Sequence, residues 1–245
     1  MIAPKKVLIF SLAYYPHVGG AEVALKEITD RISDIEFHML TRRVAGEVRE
    51  EHVGNVFVHR VSGGPSYLSK ILFVPRAAFA ARALHRTHHF DAFWAMMSYM
   101  LFPIVLLRWI GVRTPYLLTL QEGDPFEYVF SRIHILPFRP LIRSGFKHAG
   151  AVQAISTFLA TWATQAGFRG RVDMIPNGVD IKHFERAPVA HEGTALATTS
   201  RLVRKNAVDD VIRALIHLPP NIRFVIYGIG PDEVMLKKLA RELGV

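Results

Sequence analysis

Short apolar runs alternate with amphipathic stretches almost from the start of the chain, the order expected when each strand of a parallel sheet is followed by a crossover helix. Residues 6–12 read as a first strand. Ala24, Ile28 and Ile32 follow at i, i+4 and i+8, the spacing of one helix face, so Lys26, Asp30 and Arg31 are expected to face water. Further strands are predicted at residues 37–41, 56–61, 91–95, 116–120, 151–155 and 172–175, with helical patterns between most of them. Residues 92–107 carry no charge, but they are shorter than the roughly 20 residues a spanning helix needs and include Pro103, so they read as a buried strand followed by a buried helix.

Residues 184–193 contain Pro188 and little apolar pattern and read as a linker. A new series begins beyond it, with strands at 195–199 and 224–227. One helix stripe is formed by Val208, Val211, Ile212, Leu215 and Ile216, and another by Met235, Leu239 and Leu243. The predicted class is α/β. A complete, doubly wound Rossmann-like domain spans residues 1–186, and the incomplete start of a second Rossmann-like domain spans 187–245. Two parallel strands with two helices are too few to cover both faces of a sheet, so the chain is expected to be truncated.

Composition narrows the partners. Lys and Arg number 30 against 21 Asp and Glu, a formal charge of +9, which favours an anionic partner such as a nucleotide diphosphate, an acidic lipid surface or nucleic acid. No reading motif accompanies the positive charge, so nucleic acid is not expected. With 0 cysteines, disulfides, thiol nucleophiles and zinc–cysteine sites are excluded. The apolar run at residues 7–10 is too short for a signal-peptide core, and a cytoplasmic location is expected. Neither the pair His88 and His89 nor the scattered acidic residues has metal-ligand spacing, so no metal or other cofactor is expected.

Four constellations can carry chemistry. Gly19, Gly20 and Glu22 lie in the first strand-to-helix turn, where glycine amides and a helix N-terminus can meet a phosphate; a tight turn explains the same residues. The pattern is not G-x-G-x-x-G, which disfavours NAD. Gln121, Glu122, Gly123 and Asp124 follow an apolar strand at the sheet's carboxyl edge, where they can bind a hydroxyl or simply form a turn before Pro125. Arg201 and Lys205 follow the first strand of the second domain and precede a helix expected to be capped by Asn206. Two cations there suit a leaving diphosphate or a solvated basic turn. Asn177-Gly178 is a turn signal in any protein.

In sequence, these segments resemble the large family 4 of retaining glycosyltransferases, which have the GT-B fold. The stretch YYPHVGGAE at residues 14–22 is similar to that family's glycine loop, and QAISTFLATWATQAG at 153–167 to its serine-capped helix. IPNGVDIKHF at 175–184 resembles its turn, SRLVRKNAVDDVIRAL at 200–215 its donor-phosphate segment, and FVIYGIGP at 224–231 its next strand and glycine turn. The resemblance implies sugar transfer from a nucleotide-diphosphate donor to a glycan or lipid-linked acceptor with retention of configuration, a reaction of the hexosyltransferase class. It places Gly19, Gly20, Arg201, Lys205 and Gly228 at the donor, and Glu22, Asp124 and Asn177 on the acceptor side of a cleft in which Arg201 and Gly20 grip a pyrophosphate. Gln121 stands where the family usually has histidine; glutamine hydrogen-bonds but does not titrate, which weakens an acid–base role. The family's lysine usually sits at the position of Asn206, before a glycine that is Ala207 here, so Lys205 serves only with a one-residue adjustment.

The family's paired-glutamate motif lies beyond Val245, so little or no turnover is expected from these residues alone. Lys70, Arg76, Arg82, Arg86, Arg139, Arg143 and Lys147 stand among Leu72, Phe73, Phe79, Leu136, Phe138, Leu141 and Phe146. Such helices either lie on an anionic bilayer at the inner membrane face or pack on the sheet with basic faces in water. The alternatives to a transferase are a GT-B sugar-nucleotide epimerase and a non-catalytic remnant.

Overall fold

The computed structural model describes residues 4–17, 19–44, 46–61, 63–64, 66–133, 135–184 and 194–245, with Tyr67, His183 and Phe184 described through their backbone alone. It forms two compact units, Met1–Val179 and Asp180–Val245. The expected boundary at 186/187 and most of the expected linker, Pro188 included, lie outside the described residues.

The first unit is an eight-stranded sheet with helices on its faces. Its elements are β1 (Lys5–Phe10), α1 (Gly20–Thr29), β2 (Ile35–Arg42), β3 (Glu50–Val53), β4 (Val56–Val61), α2 (Tyr67–His88), β5 (Ala92–Met96), α3 (Leu101–Trp109), β6 (Tyr116–Leu120), α4 (Phe126–Phe130), α5 (Arg139–Lys147), β7 (Ala151–Ala154), α6 (Thr157–Gln165) and β8 (Val172–Met174). The strand order is β3-β4-β2-β1-β5-β6-β7-β8, with all neighbours parallel except the β3–β4 pair. The order reverses between β1 and β5. Ligands of open α/β sheets bind at such a switch point, outside the strands' carboxyl ends.

Both sheet faces are covered, as a parallel sheet requires. Leu8, Phe10, Phe93, Leu118 and Val152 pack with Phe73 and Trp162 on one face, and Ile9, Met39, Val58 and Trp94 pack with Tyr14 and Leu25 on the other. The alternation of Leu8, Ile9 and Phe10 between faces is the two-residue period of a strand. The uncharged run at 92–107 is indeed a strand followed by a helix, β5 and α3. No helix among the described residues is long and apolar enough to cross a membrane.

The structure corrects two local expectations. The buried face of α1 is Ala21, Leu25 and Thr29, whereas Ile28 is exposed. Thr29 fits inside because its hydroxyl donates to the Leu25 carbonyl at 2.9 Å, so a polar residue completes a stripe that hydrophobicity alone places one position away. The edge strand β3 is absent from the periodicity; its sequence, Glu-Glu-His-Val, carries no apolar alternation. Gly54 turns β3 into β4 with a φ of 59°, and a Cβ there would lie 2.1 Å from Asp30 Oδ1, so both the backbone and its neighbour favour glycine.

The second unit contains β9 (Ala195–Thr199), α7 (Val208–Ala214), β10 (Arg223–Tyr227) and α8 (Glu233–Leu243). β9 and β10 pair in parallel as predicted. The buried core here is Leu202, Val208, Ile212, Leu236 and Leu239. Of the predicted stripes, Val211, Ile216 and Met235 are exposed instead. Asn206 does not cap α7: the N-cap position is Ala207, and the Asn206 amide donates to the Arg201 carbonyl at 2.7 Å.

Candidate functional site

The carboxyl ends of β1, β5, β6, β7 and β8 bring several expected site residues of the first unit to one edge. At the end of β1, Gly19 is the N-cap of α1 and has extended backbone, and its carbonyl accepts the first helical hydrogen bond from Val23 N–H at 3.1 Å. No side chain caps this helix. A helix N-terminus without a cap presents its amides and positive dipole end outward. A Cβ built on Gly20 meets nothing within 4 Å, so the first helical residue borders open space. A Cβ on Gly19 would lie 2.7 Å from Glu22 Oε2. The Glu22 carboxylate therefore folds back towards the same amides and occupies ground that an incoming anion would take.

One strand along, the end of β5 carries backbone strain. Met97 adopts φ 69° and ψ 156°, a region that side chains rarely enter. It is held there on both sides. Its N–H donates to the Thr119 carbonyl at 2.9 Å, and the next amide, Ser98 N–H, donates to Glu122 Oε1 at 2.5 Å. Trp94 Nε1–H fixes Thr119 through its hydroxyl at 2.9 Å. Burial pushes the Glu122 carboxyl above the ordinary glutamate range, against the hydrogen bond from Ser98. Glu122 Oε2 and Ser98 Oγ are both buried without a hydrogen-bond partner. No sequence spacing marks Glu122 and Ser98 as a pair, because only the sheet order makes the ends of β5 and β6 neighbours.

Gln121 and Asn177, separated by 56 residues, form a reciprocal amide pair: Gln121 Nε2 donates to Asn177 Oδ1 at 3.1 Å and Asn177 Nδ2 donates to Gln121 Oε1 at 3.2 Å. Gln153 ties β7 to the same turn by donating to the Ile175 carbonyl at 2.7 Å. The pair fixes both amide orientations and joins the ends of β6 and β8. With β5 between them, β1 and β6 end two strand spacings apart, about 10 Å. Asp124 lies slightly farther out and pairs with Arg132 at 3.8 Å, whose guanidinium sits 4.3 Å over the Tyr128 ring. The serine-capped helix is present: Ser156 accepts from Leu159 N–H at 3.3 Å at the start of α6.

In the second unit, Arg201 is exposed after β9, and Lys205 lies in a short 3-10 turn, Arg204–Asn206. Ala207 then takes φ 51° and ψ 36°, the left-handed region that favours glycine. This conformation gives a physical reason for glycine at the corresponding family position. Gly228 has a packing role: a Cβ on it would stand 1.9 Å from the Ser200 carbonyl oxygen. Of the rings expected on a membrane-facing surface, Phe73 and Phe146 are fully buried in the first unit's core, because each lies on the sheet side of its helix. Leu72, Phe79, Leu136 and Phe138 are exposed.

Comparison with known proteins agrees with this architecture. A segment of 74 residues is 38% identical to one component of the Arabidopsis thaliana phosphatidylinositol N-acetylglucosaminyltransferase, covering 28% of this chain and 17% of that protein. Another of 93 residues is 31% identical to an uncharacterized glycosyltransferase of Methanocaldococcus jannaschii, covering 36% of this chain and 25% of that one. The matched segments thus span a quarter or less of these relatives. Among solved structures, sucrose-phosphate synthase of Thermosynechococcus elongatus superposes with a TM-score of 0.77 at 14% identity, over 98% of this chain and 68% of that one. Anabaena HepE, solved in complex with UDP-glucose, superposes with a TM-score of 0.70 at 20% identity, over 98% of this chain and 66% of that one. These likenesses give the GT-B fold class. The family described as the glycosyl transferase 4-like domain matches residues 19–178, from the N-cap of α1 to the turn holding Asn177. The chain belongs to the glycosyl transferase 4-like domain family.

Proposed function

We propose that this chain serves a glycosyltransferase that moves a sugar from a nucleotide-diphosphate donor to a glycan or lipid-linked acceptor with retention of configuration. The observation that carries the reading is the uncapped N-terminus of α1 with open space at Gly20, placed at the switch point of a sheet whose family match begins at Gly19. In this reading Gly19 and Gly20 present amides to the donor's phosphate or sugar, and Arg201 and Lys205 supply cations for the diphosphate. Gly228 shapes the backbone of the second unit near them. Gln121, held by Asn177, offers a fixed amide to a sugar hydroxyl as a positioning group; Glu22 and Asp124 lie on the acceptor side. No metal takes part in this step, since the guanidinium and amides stabilise the leaving phosphate. HepE's UDP-glucose complex supports a uridine diphosphate sugar as the first donor to try.

The acceptor reading adds an anionic membrane surface. Leu68, Ile71, Leu72 and Phe79 are exposed on α2, which also bears Lys70, Arg76 and Arg86. Exposed apolar side chains beside cations suit a headgroup layer. Flotation with acidic liposomes at low salt, lost in neutral liposomes, is the expected result.

The decisive experiment is a thermal-shift panel of nucleoside diphosphates and their sugars. One base is expected to raise the melting point, since ligand at 100 times its Kd adds about 2.7 kcal/mol. Gly20→Glu, whose carboxylate would face the phosphate, should abolish the shift while leaving the ligand-free melting point unchanged. A panel with no shift, or a shift that survives this substitution, sinks the donor assignment.

A further inference from the structure

A second cluster of ionisable groups lies at the opposite edge of the sheet, where the parallel strands begin. Glu36 and His38 stand near the start of β2 and His88 is the last residue of α2; one donor atom from each lies within 4.8 Å of the other two. His38 Nε2 is 2.8 Å from Glu36 Oε1, and its Nδ1 is 2.9 Å from His59 Nε2 on β4. His59 Nδ1 in turn is 3.2 Å from Glu50 Oε1 on β3. The rings of His38 and His88 have centroids 4.4 Å apart. His38 is almost fully buried, whereas Glu50 is exposed, so the chain of contacts runs from the interior to the surface.

Counting protons along this chain exposes a deficit. Glu50···His59···His38···Glu36 contains three polar contacts, and with both carboxylates ionised each needs one hydrogen on an imidazole nitrogen. Two neutral imidazoles carry two. If His59 Nδ1–H donates to Glu50 and His38 Nδ1–H donates to His59 Nε2, both hydrogens are used. His38 Nε2 then directs its lone pair at the Glu36 carboxylate. In that tautomer Nε2 is free to meet a cation beside the His88 ring; in the opposite one Nε2–H donates to Glu36 and the missing hydrogen falls at the exposed Glu50 end.

We propose that Glu36, His38 and His88 bind a divalent transition-metal ion of the zinc type at this point. Two imidazoles and one carboxylate are a common donor set for such ions, which leave a further position for water. Ligand bonds of about 2.0–2.2 Å at tetrahedral angles put neighbouring donor atoms about 3.4 Å apart, so His38 Nε2 and Glu36 Oε1, 2.8 Å apart here, part slightly to admit the ion. The His59–Glu50 arm is the hydrogen-bonded support that fixes which nitrogen of a ligating histidine faces its metal. The ion would fasten the end of α2 to the start of β2. It lies at the edge away from the carboxyl ends of the strands, so its role is to brace the first unit and not to act on a sugar.

Lys6 makes the proposal easy to break. Its ammonium is 3.0 Å from Glu36 Oε1 and only partly buried, so it competes with the ion for the same oxygen and must swing outward when the ion binds. The test is equilibrium binding of Co2+ and Zn2+ to the chelator-treated full chain, read by visible absorption for cobalt and by melting point for zinc. One ion per chain with a raised melting point is expected. His88→Ala, at the half-buried last residue of α2, should weaken binding at least tenfold, and His59→Ala should weaken it roughly tenfold through the supporting arm. Lys6→Met should tighten binding, a result that scattered surface histidines would not give. Equal affinity in wild type and His88→Ala, or no gain with Lys6→Met, overturns the site.

Discussion

The two units hold comparable kinds of loop on very different foundations. In the first, Gly19, Met97, Gln121 and Asn177 follow strands of an eight-stranded sheet with Leu8, Phe10, Ala95, Leu118 and Ala154 fully buried. In the second, Arg201 and Gly228 follow a two-stranded sheet with Leu196, Val225 and Tyr227 exposed, over a core of Leu202, Val208, Ile212, Leu236 and Leu239. A parallel pair with so little buried apolar surface gains little from the hydrophobic effect. The first unit can therefore hold strain, as at Met97. The second relies on close backbone packing, as at Gly228 against Ser200.

The largest expected effect tests that contrast through two glycines. Gly228→Ala forces a Cβ to within 1.9 Å of a backbone oxygen, which must displace the turn after β10 and cost about 3 kcal/mol. Gly20→Ala meets nothing within 4 Å and should stay within about 0.5 kcal/mol of wild type. Amide exchange in β9 and β10 reports the first; tryptophan fluorescence reports the second, because Trp94, Trp109 and Trp162 all lie in the first unit. Unchanged exchange in the Gly228 variant would contradict the packing account.

A smaller effect sharpens the view that the first unit carries strain at the carboxyl edge of its sheet. The folded state raises the Glu122 pKa above the 4.5 of an ordinary glutamate. Between those two values the folded chain keeps a proton that the unfolded chain has lost, so stability falls as pH rises through the window and the full penalty persists above it. Glu122→Gln stays neutral and keeps an oxygen to accept from Ser98 N–H. It should match wild type at low pH and exceed it at neutral pH by about 1 kcal/mol. Urea unfolding followed by fluorescence at several pH values measures this, and parallel pH profiles for the two proteins would refute it.

Much of the fold is legible in the sequence because strand periodicity is local. The runs at 56–61, 116–120 and 195–199 coincide with β4, β6 and β9, and the uncharged run divides into β5 and α3 as its length and Pro103 imply. The phase of α1 is not legible, since Thr29 hides its hydroxyl in its own helix and so buries like an apolar residue. The site is legible only in parts. Gln121 and Asn177 each stand out as polar groups after strands, but their pairing depends on sheet order, as does the Glu122–Ser98 contact. The Glu36–His38–His88 cluster lies further beyond reach. His38 and His88 are fifty residues apart, and no spacing rule connects a strand's first residues to the end of a later helix.

The smallest effect returns to the second unit and asks how near its loop lies to the limit of what it can hold. Ala207 sits in the left-handed region with φ 51°, between the 3-10 turn bearing Lys205 and the start of α7. The Cβ of alanine crowds the following carbonyl there, at a cost of about 1 kcal/mol. Glycine removes that crowding but enlarges the unfolded ensemble, and where φ is positive the first term dominates. Ala207→Gly is therefore expected to stabilise the second unit by about 0.5–1 kcal/mol, slowing amide exchange in β9 and β10 without altering fluorescence-detected unfolding of the first unit. Faster exchange in this variant would mean that the turn is not under strain, and that the second unit's loops rest on firmer ground than its small core implies.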